Sequence, residues 1–328
     1  MPGSCASVFG EAEDFQAALS ANGVAAVLVA GRGQFRARMT QLALESMRLA
    51  AIEEASPRIA FMAVPAGMVV VAFPIDGGPS PVWGGIEIRA KELIIFGPGE
   101  RLHARTVGAC HWAAIQLPNH QLTDYGRALC GAGFMVPPAA RWRPSLAAVR
   151  ELRQLHLAAI RMAEARAPAL TDFQAAHGLE QQLLHSLIEC LSGAADEETP
   201  AGRRHRDILG RFEDLITDEP FLRMADICAA LGVSDGLLRA CCNKHLGMGP
   251  SKYGRLRRMQ QVHRALRSGT PDIASVSEVA RRHGFEGLGH FAAYYRACYG
   301  ELPSTTLRRA SKPGVAELTL GRPRMKLS

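Results

Sequence analysis

The chain has 328 residues, 48% of them hydrophobic and 21% charged, which is the composition of a soluble globular protein long enough for two domains with real cores. Its formal net charge of +7 is unevenly placed: residues 1–200 hold 16 Lys+Arg against 19 Asp+Glu, a net of −3, and residues 201–328 hold 22 against 12, a net of +10. That excludes a chain basic throughout and assigns a polyanionic partner to the back half alone.

Eight cysteines are scattered and none forms a C-x-x-C pair, so neither a zinc ribbon nor a redox motif is expected. Free cysteines on apolar helix faces fit a reducing, cytoplasmic setting. The first 20 residues carry Glu11, Glu13 and Asp14 and lack the basic start of a secretory signal. The apolar uncharged stretch Ile59 to Ile75 has 17 residues and is broken by Pro65, Gly67 and Pro74. A membrane span needs about 20 apolar residues, so this stretch reads as two buried strands around a turn, and no membrane partner is expected.

In chain order, residues 1–20 read as an irregular or helical lead-in. From Val24 to about Leu117 the pattern turns to strands. Phe35 to Thr40 alternates apolar and polar residues, Val69 to Phe73 and Leu93 to Phe96 are short apolar runs, and His111 to Ile115 follows a further turn. Short strands punctuated by Gly and Pro predict an antiparallel sandwich or small barrel, which commonly holds a small ligand. Ser145 is placed to cap a helix whose apolar stripe runs Leu146, Val149, Leu152, Leu155, Ala159, Met162. A second helix after Thr171-Asp172 carries Phe173, Leu179, Leu183, Leu187 and Leu191. The stripes of this hairpin either cover the strands or pair with a second subunit. Residues 193–205, small and polar around Pro200, read as a linker.

The back half carries the sharpest pattern. A helix over Asp207–Ile216 precedes a supporting helix, Met224–Leu231, a turn at Gly232-Val233-Ser234, and a recognition helix from Asp235 to His245 ending at Gly247. Leu238, Cys241 and Cys242 face inward there, which leaves Arg239, Asn243 and Lys244 outside. A long basic connector follows, in which Arg258 is assigned an internal acidic partner. The second pair runs from Val276, Val279 and Ala280 through the Gly284-Phe285 turn to a helix over Gly287–Tyr299. Its inner face is Phe291, Tyr295 and Cys298, and Leu288, Gly289, His290, Ala292, Ala293 and Arg296 remain for a groove. A short helix, a glycine turn and a second amphipathic helix present one helix to the DNA major groove. Two such helices reach successive groove segments about 34 Å apart.

Over about Arg206 to Arg309 these residues resemble the AraC/XylS family of bacterial transcription regulators. The resemblance rests on Ser234-x-x-x-Leu238, Leu246-Gly247-Met248-Gly249-Pro250, Arg258, Val279-Ala280, Gly284-Phe285, Phe291, Tyr295, Gly300, and Pro303 with Arg308. It implies an α+β protein with a cupin-like β-barrel and helical hairpin in front of an all-α tandem helix-turn-helix domain. The domains would then be 1–140 (effector sensing), 141–192 (dimerisation hairpin), 193–205 (linker), 206–310 (DNA binding) and 311–328 (flexible basic tail). It also carries the recognition positions over to Gly236, Arg239, Ala240 and Asn243, and to Leu288, Gly289, His290 and Ala293. Lys244 and Arg296 join them from the helical pattern. Cys242 departs from the family, which places a large aromatic there, and Val262 replaces a smaller residue. Gly236, Gly289 and Ala293 offer little side-chain chemistry, so base reading leans on Arg239, Asn243, His290 and DNA shape.

The expected function is an effector-responsive transcription activator, with double-stranded DNA, a small molecule and RNA polymerase as partners and a homodimer as its assembly. The alternatives are an effector-independent repressor and, from another class, a metal-dependent cupin enzyme fused to a DNA-binding head. For the last, His103, His111 and His120 are the candidate ligands. Their spacings of eight and nine residues, with no His-x-His, favour structural or solvated histidines over a metal site. No catalytic residue, metal or cofactor is assigned.

Overall fold

The computed structural model describes residues 3–31, 35–170, 172–268 and 275–310. The chain forms two compact units, Met1–Arg257 and Arg258–Ser328.

The first unit begins with β1 (Gly3–Phe9) and α1 (Ala12–Leu19), followed by β2 (Val24–Val29), β3 (Ala37–Ala43), β4 (Arg48–Glu54), β5 (Arg58–Ala63) and β6 (Met68–Pro74). Then come β7 (Val82–Trp83), β8 (Ile86–Glu87), β9 (Leu93–Phe96), β10 (Arg101–Thr106), β11 (Cys110–Pro118), α2 (Asn119–Cys130) and β12 (Ala139–Arg143). The helices α3 (Leu146–Glu164) and α4 (Phe173–Leu191), β13 (Ala194–Glu197), α5 (Pro200–Asp218), α6 (Met224–Leu231) and α7 (Asp235–Leu246) complete it. The helix α8 (Pro250–Ser268) carries the division between units, and the second unit adds α9 (Val276–Arg282), α10 (Leu288–Tyr299) and α11 (Pro303–Ala310).

Among the described residues the strands form an eight-stranded antiparallel sheet, ordered β1-β3-β4-β11-β6-β9-β12-β13, and a five-stranded one, ordered β2-β5-β10-β7-β8. The α+β class is as expected, but the strands make two sheets rather than a closed barrel. The reason is legible in the period-two alternation, because the large sheet is buried on both faces. Leu49, Ala51, Val69, Val71, Phe73, Ala113, Ile115 and Leu117 point to one face and pack under α3 and α4. Ala50, Ile52, Val70 and Ala72, one residue out of phase, point to the other and meet Ala60, Leu102 and Ala104 of the small sheet. The result is three layers: helices, large sheet, small sheet.

Ser145 Oγ accepts from Ala148 N at 3.1 Å and caps α3, and Asp172 caps α4 at 2.7 Å from Ala175 N. The buried faces of α3 and α4 belong to the core over the large sheet. The apolar stripes of the hairpin are therefore consumed inside the chain, and Leu146 and Phe173, counted on those stripes, are exposed.

Two sequence expectations change. The lead-in contains a strand, β1, paired along its whole length with β3. Residues 193–205 are not a bare linker: β13 pairs with β12, and α5 starts at Pro200 under a cap from Thr199 Oγ1 to Gly202 N of 3.1 Å. Proline at the first helical position behind a threonine cap is a start signal, here embedded in a composition that reads as linker. The basic tail, 311–328, lies outside the described residues.

Candidate nucleic-acid interface

The first helix pair is built from the inside out. Ile208, Leu209 and Phe212 of α5, Ile227 and Leu231 of α6, and Leu238, Cys241, Cys242 and Leu246 of α7 are all buried. Gly232 turns the chain at φ +67°, a conformation costly for residues with a Cβ. Ser234 Oγ then accepts from Leu237 N at 3.2 Å and starts α7, and Gly247 ends it at φ +71°. The opposite face of α7 carries Gly236, Arg239, Ala240, Asn243 and Lys244, all exposed. The five positions of this helix expected from the sequence to read DNA thus share one solvent face. Arg239 Nε donates to Asp235 Oδ2 at 2.6 Å, which fixes one edge of the guanidinium. Burial pushes the Cys242 thiol up to about 12, so at the departure from the family pattern a small inert side chain fills the core.

The second helix pair lies in the second unit. Ser275 caps α9 through Glu278 N at 3.1 Å, and Gly284 makes the turn at φ +75°. Phe291, Tyr295 and Cys298 are buried, with Phe285 packed 5.2 Å from the Phe291 ring. Tyr295 Oη lies 2.6 Å from His263 Nδ1 and 2.8 Å from Thr306 Oγ1, while the His263 and Tyr299 rings stack at 3.8 Å. Leu288, Gly289, His290, Ala293 and Arg296 are exposed along the outer side. Ala292 is half-buried.

Sequence reasoning missed what lies behind α7. The outward residues of β10 dock the first helix pair onto the small sheet. His103 Nε2 lies 3.3 Å from Glu213 Oε2 of α5, deep in the seam. The same carboxylate accepts from Tyr253 Oη at 2.7 Å and pairs with Arg257 at 2.7 Å. Burial alone would raise the Glu213 carboxyl, but the His103 hydrogen bond and the Arg257 charge outweigh it and hold the group below its ordinary value. Arg257, next to the Arg258 to which the sequence assigns an internal partner, pairs in this way inside the fold. Buried Arg206 forks onto Glu198 at 3.0 and 2.7 Å and also reaches Glu100. Arg101 grips Asp214 from β10. His245, at the back of α7, is fully buried against Gly85, and burial followed by the Lys244 charge pushes its imidazole down to about 3.

On its inner side the same strand borders a cavity between the sheets. The cavity is small, about 60 Å³, and Leu102 and Ala104 of β10, Trp83 of β7 and Trp112 of β11 are among its walls. Histidines do not converge on it. His103 faces the seam, His111 lies 4.0 Å from Asp76, and His120 is exposed on α2.

Two glycine-turned helix pairs, each with a buried support and a solvent-facing second helix, define a DNA-binding protein of the helix-turn-helix class. A family model described as a helix-turn-helix domain matches residues 227–309. The XylDLEGF operon transcriptional activator 3 of Pseudomonas putida is 42% identical over 129 residues, 38% of this chain and 37% of that one. The XylDLEGF operon transcriptional activator of the same organism is 41% identical over 69 residues, 21% of this chain and 22% of that one. The crystal structure of the AraC-like transcriptional activator CuxR superimposes with a TM-score of 0.44 at 16% identity, covering 79% of this chain and 94% of that one. Over residues 227–309 the chain carries the helix-turn-helix domain of this class. It aligns with only 22% and 37% of the length of those two activators. Among the described residues no helix is long and apolar enough to cross a membrane.

Proposed function

We propose that this chain is a sequence-specific transcription regulator that reads double-stranded DNA and answers to a small molecule held between its sheets. The observation that carries the reading is the exposed face of α7, five recognition positions over a fully buried core, in the basic part of the chain. The reading residues are Gly236, Arg239, Ala240, Asn243 and Lys244 on α7 and Leu288, Gly289, His290, Ala293 and Arg296 on α10. Arg239 and His290 supply hydrogen bonds to base edges, and Lys244 and Arg296 supply charge to phosphates. The aligned relatives are named as activators, so activation through RNA polymerase is the proposed sign of regulation.

The response to a small molecule rests on β10. Its even residues, Leu102 and Ala104, line the cavity, and its odd residues, Arg101 and His103, hold α5. A ligand and the first recognition helix are thus separated by the thickness of one strand. A ligand that fits one setting of that strand better than another shifts how α7 is held.

The test is competition binding of the full chain to genomic fragments. A preferred duplex should emerge, with affinity falling steeply as salt rises. Arg239→Ala should cost about 1–3 kcal/mol at one or two base positions. An unchanged sequence preference in that variant removes Arg239 from the reading face, and no preference for any duplex removes the function.

A further inference from the structure

The cavity has a shape that follows from register. Ala114 of β11 is the direct partner of Ala50 on β4 and of Ala72 on β6, so three alanines form a row across the large sheet. Ala104 of β10 faces Ala60 of β5 across the small one. All five line the cavity. Two sheets packed face to face stand about 10 Å apart and fill the gap with interdigitated side chains. Where both sheets present alanine the gap stays open, as a small flat slot of about 60 Å³ that an aromatic ring enters only if the two walls part slightly. Trp83 extends the small-sheet row as the partner of Ala104. Its ring meets that of Trp112 edge-on at 5.6 Å, and aromatic walls favour an aromatic occupant.

The polar groups of the slot select further. Arg58 is fully buried, but its charge is answered: Nε donates to Glu54 Oε1 at 2.7 Å and Nη1 to the Ala104 carbonyl at 3.1 Å. Glu54 Oε1 also accepts from Trp112 Nε1 at 3.2 Å. An anion would have to displace Glu54 in the low-dielectric interior, and a cation would meet a carboxylate already neutralised. Gln116 is different. It lines the slot, it is 4% exposed, and its Oε1 has no hydrogen-bond partner. A buried carboxamide in that state needs a donor, or an acceptor if the amide sits the other way round. A hydroxyl meets either need, because it both donates and accepts.

We infer that the slot binds a small, flat, uncharged aromatic molecule carrying a hydroxyl, a phenol, with that hydroxyl on the Gln116 carboxamide. This deepens the proposed response to a small molecule and rests on it. The discriminating groups are then Gln116 for the hydroxyl, the alanine rows for thickness, and the closed Arg58–Glu54 pair for charge.

The experiment titrates the purified full chain with phenol, toluene and benzoate, following tryptophan fluorescence and calorimetric heat. Phenol should bind about tenfold more tightly than toluene, the equivalent of one hydrogen bond of about 1.4 kcal/mol, and benzoate should not compete. Gln116→Leu, close in volume, should bring phenol down to the level of toluene and leave toluene unchanged. Ala114→Leu, which fills the slot from the same wall two residues along β11, should abolish both and serves if the first variant does not fold. Toluene binding as tightly as phenol, a phenol advantage that survives Gln116→Leu, benzoate binding better than either, or no binding by any probe overturns the inference. The same preparation is assayed for duplex preference, so a failed ligand class is distinguished from a failed regulator.

Discussion

Replacing Glu213 by glutamine takes one charge out of the seam behind α7 while keeping the shape of the side chain. In the wild type the carboxylate is held by Arg257 and Tyr253, each at 2.7 Å, and by His103 at 3.3 Å, and its side chain is 2% exposed. Glutamine retains an acceptor for Tyr253 but leaves the Arg257 guanidinium, 13% exposed, without its counter-charge. Removing one partner of a buried pair costs about 3–5 kcal/mol, and the retained hydrogen bonding brings the expectation below that range, to about 2–3 kcal/mol. The pH dependence has a definite sign. The folded carboxyl sits below its ordinary value of 4.5, so its stabilisation is complete above pH 4.5 and is lost as pH falls through the folded value. The gap between wild type and Glu213→Gln should therefore be full at pH 7 and narrow below about 4.5. Hydrogen exchange over α5 and α7, with urea unfolding alongside, reads both the size and the place of the loss. A penalty under about 0.5 kcal/mol, or one confined to the large sheet, refutes the idea that this carboxylate fastens the first helix pair.

Three further outcomes follow from single side chains. His156 is fully buried against Phe73 with neither ring nitrogen hydrogen-bonded, although the Ala50 and Ala114 carbonyls lie close enough to oppose the effect of burial, which pushes the imidazole down from 6.5 to about 4. Its neutral form belongs to the fold, so stability present above pH 6.5 falls as pH drops towards 4, by about 3 kcal/mol for that shift; His156→Leu should flatten this loss in acid titrations of unfolding. Gly85 sits at φ +77°, where a Cβ would lie 2.6 Å from the His245 ring, whereas Gly99 at φ +75° has open space around it. Gly85→Ala should lower the melting temperature clearly more than Gly99→Ala, and equal effects would mean that His245 simply moves aside. Asp235→Ala frees the Nε edge of Arg239, which should cost about 1 kcal/mol of base discrimination in competition binding while leaving non-specific affinity equal or higher.

The helix-turn-helix elements were legible because their signals are local. Ser234 and Gly247 mark the two ends of α7, and burial at Leu238, Cys241 and Cys242 follows from spacing alone. The seam was not legible, for a different reason. Along β10, Arg101, His103 and Arg105 alternate with Leu102, Ala104 and Thr106, and that pattern states only that one face is polar. Polar commonly means solvated, yet here the polar face meets Glu213 and Asp214, more than 100 residues further on. Closure of the strands was illegible for a similar reason: period two reports which side of a sheet is covered, not whether its edges meet. The slot lay between these cases. Alanine at positions 50, 60, 72, 104 and 114 is visible in the sequence, but only register shows that three of them share a row and the other two face each other on the opposite sheet.

That placement bears on how much a ligand can do. A ligand shifts a conformational equilibrium only by its difference in affinity for the two settings, and about 5.5 kcal/mol is needed to move a population from one part in a hundred to ninety-nine. One hydrogen bond at Gln116 supplies a fraction of that. The remainder has to come from apolar contact with the alanine rows and the two indoles, at about 25 cal/mol per Å², and it acts only if those walls move. The large-sheet row is locked under α3 and α4 by Ala113, Ile115 and Leu117. On the small sheet, β10 is backed instead by a polar seam of ion pairs and hydrogen bonds, whose strength depends on geometry. On the proposed reading, strain from a bound ligand is relieved towards α5 and α7 rather than into the helical layer, and Glu213 is the group that would carry contact on β10 to the first helix pair.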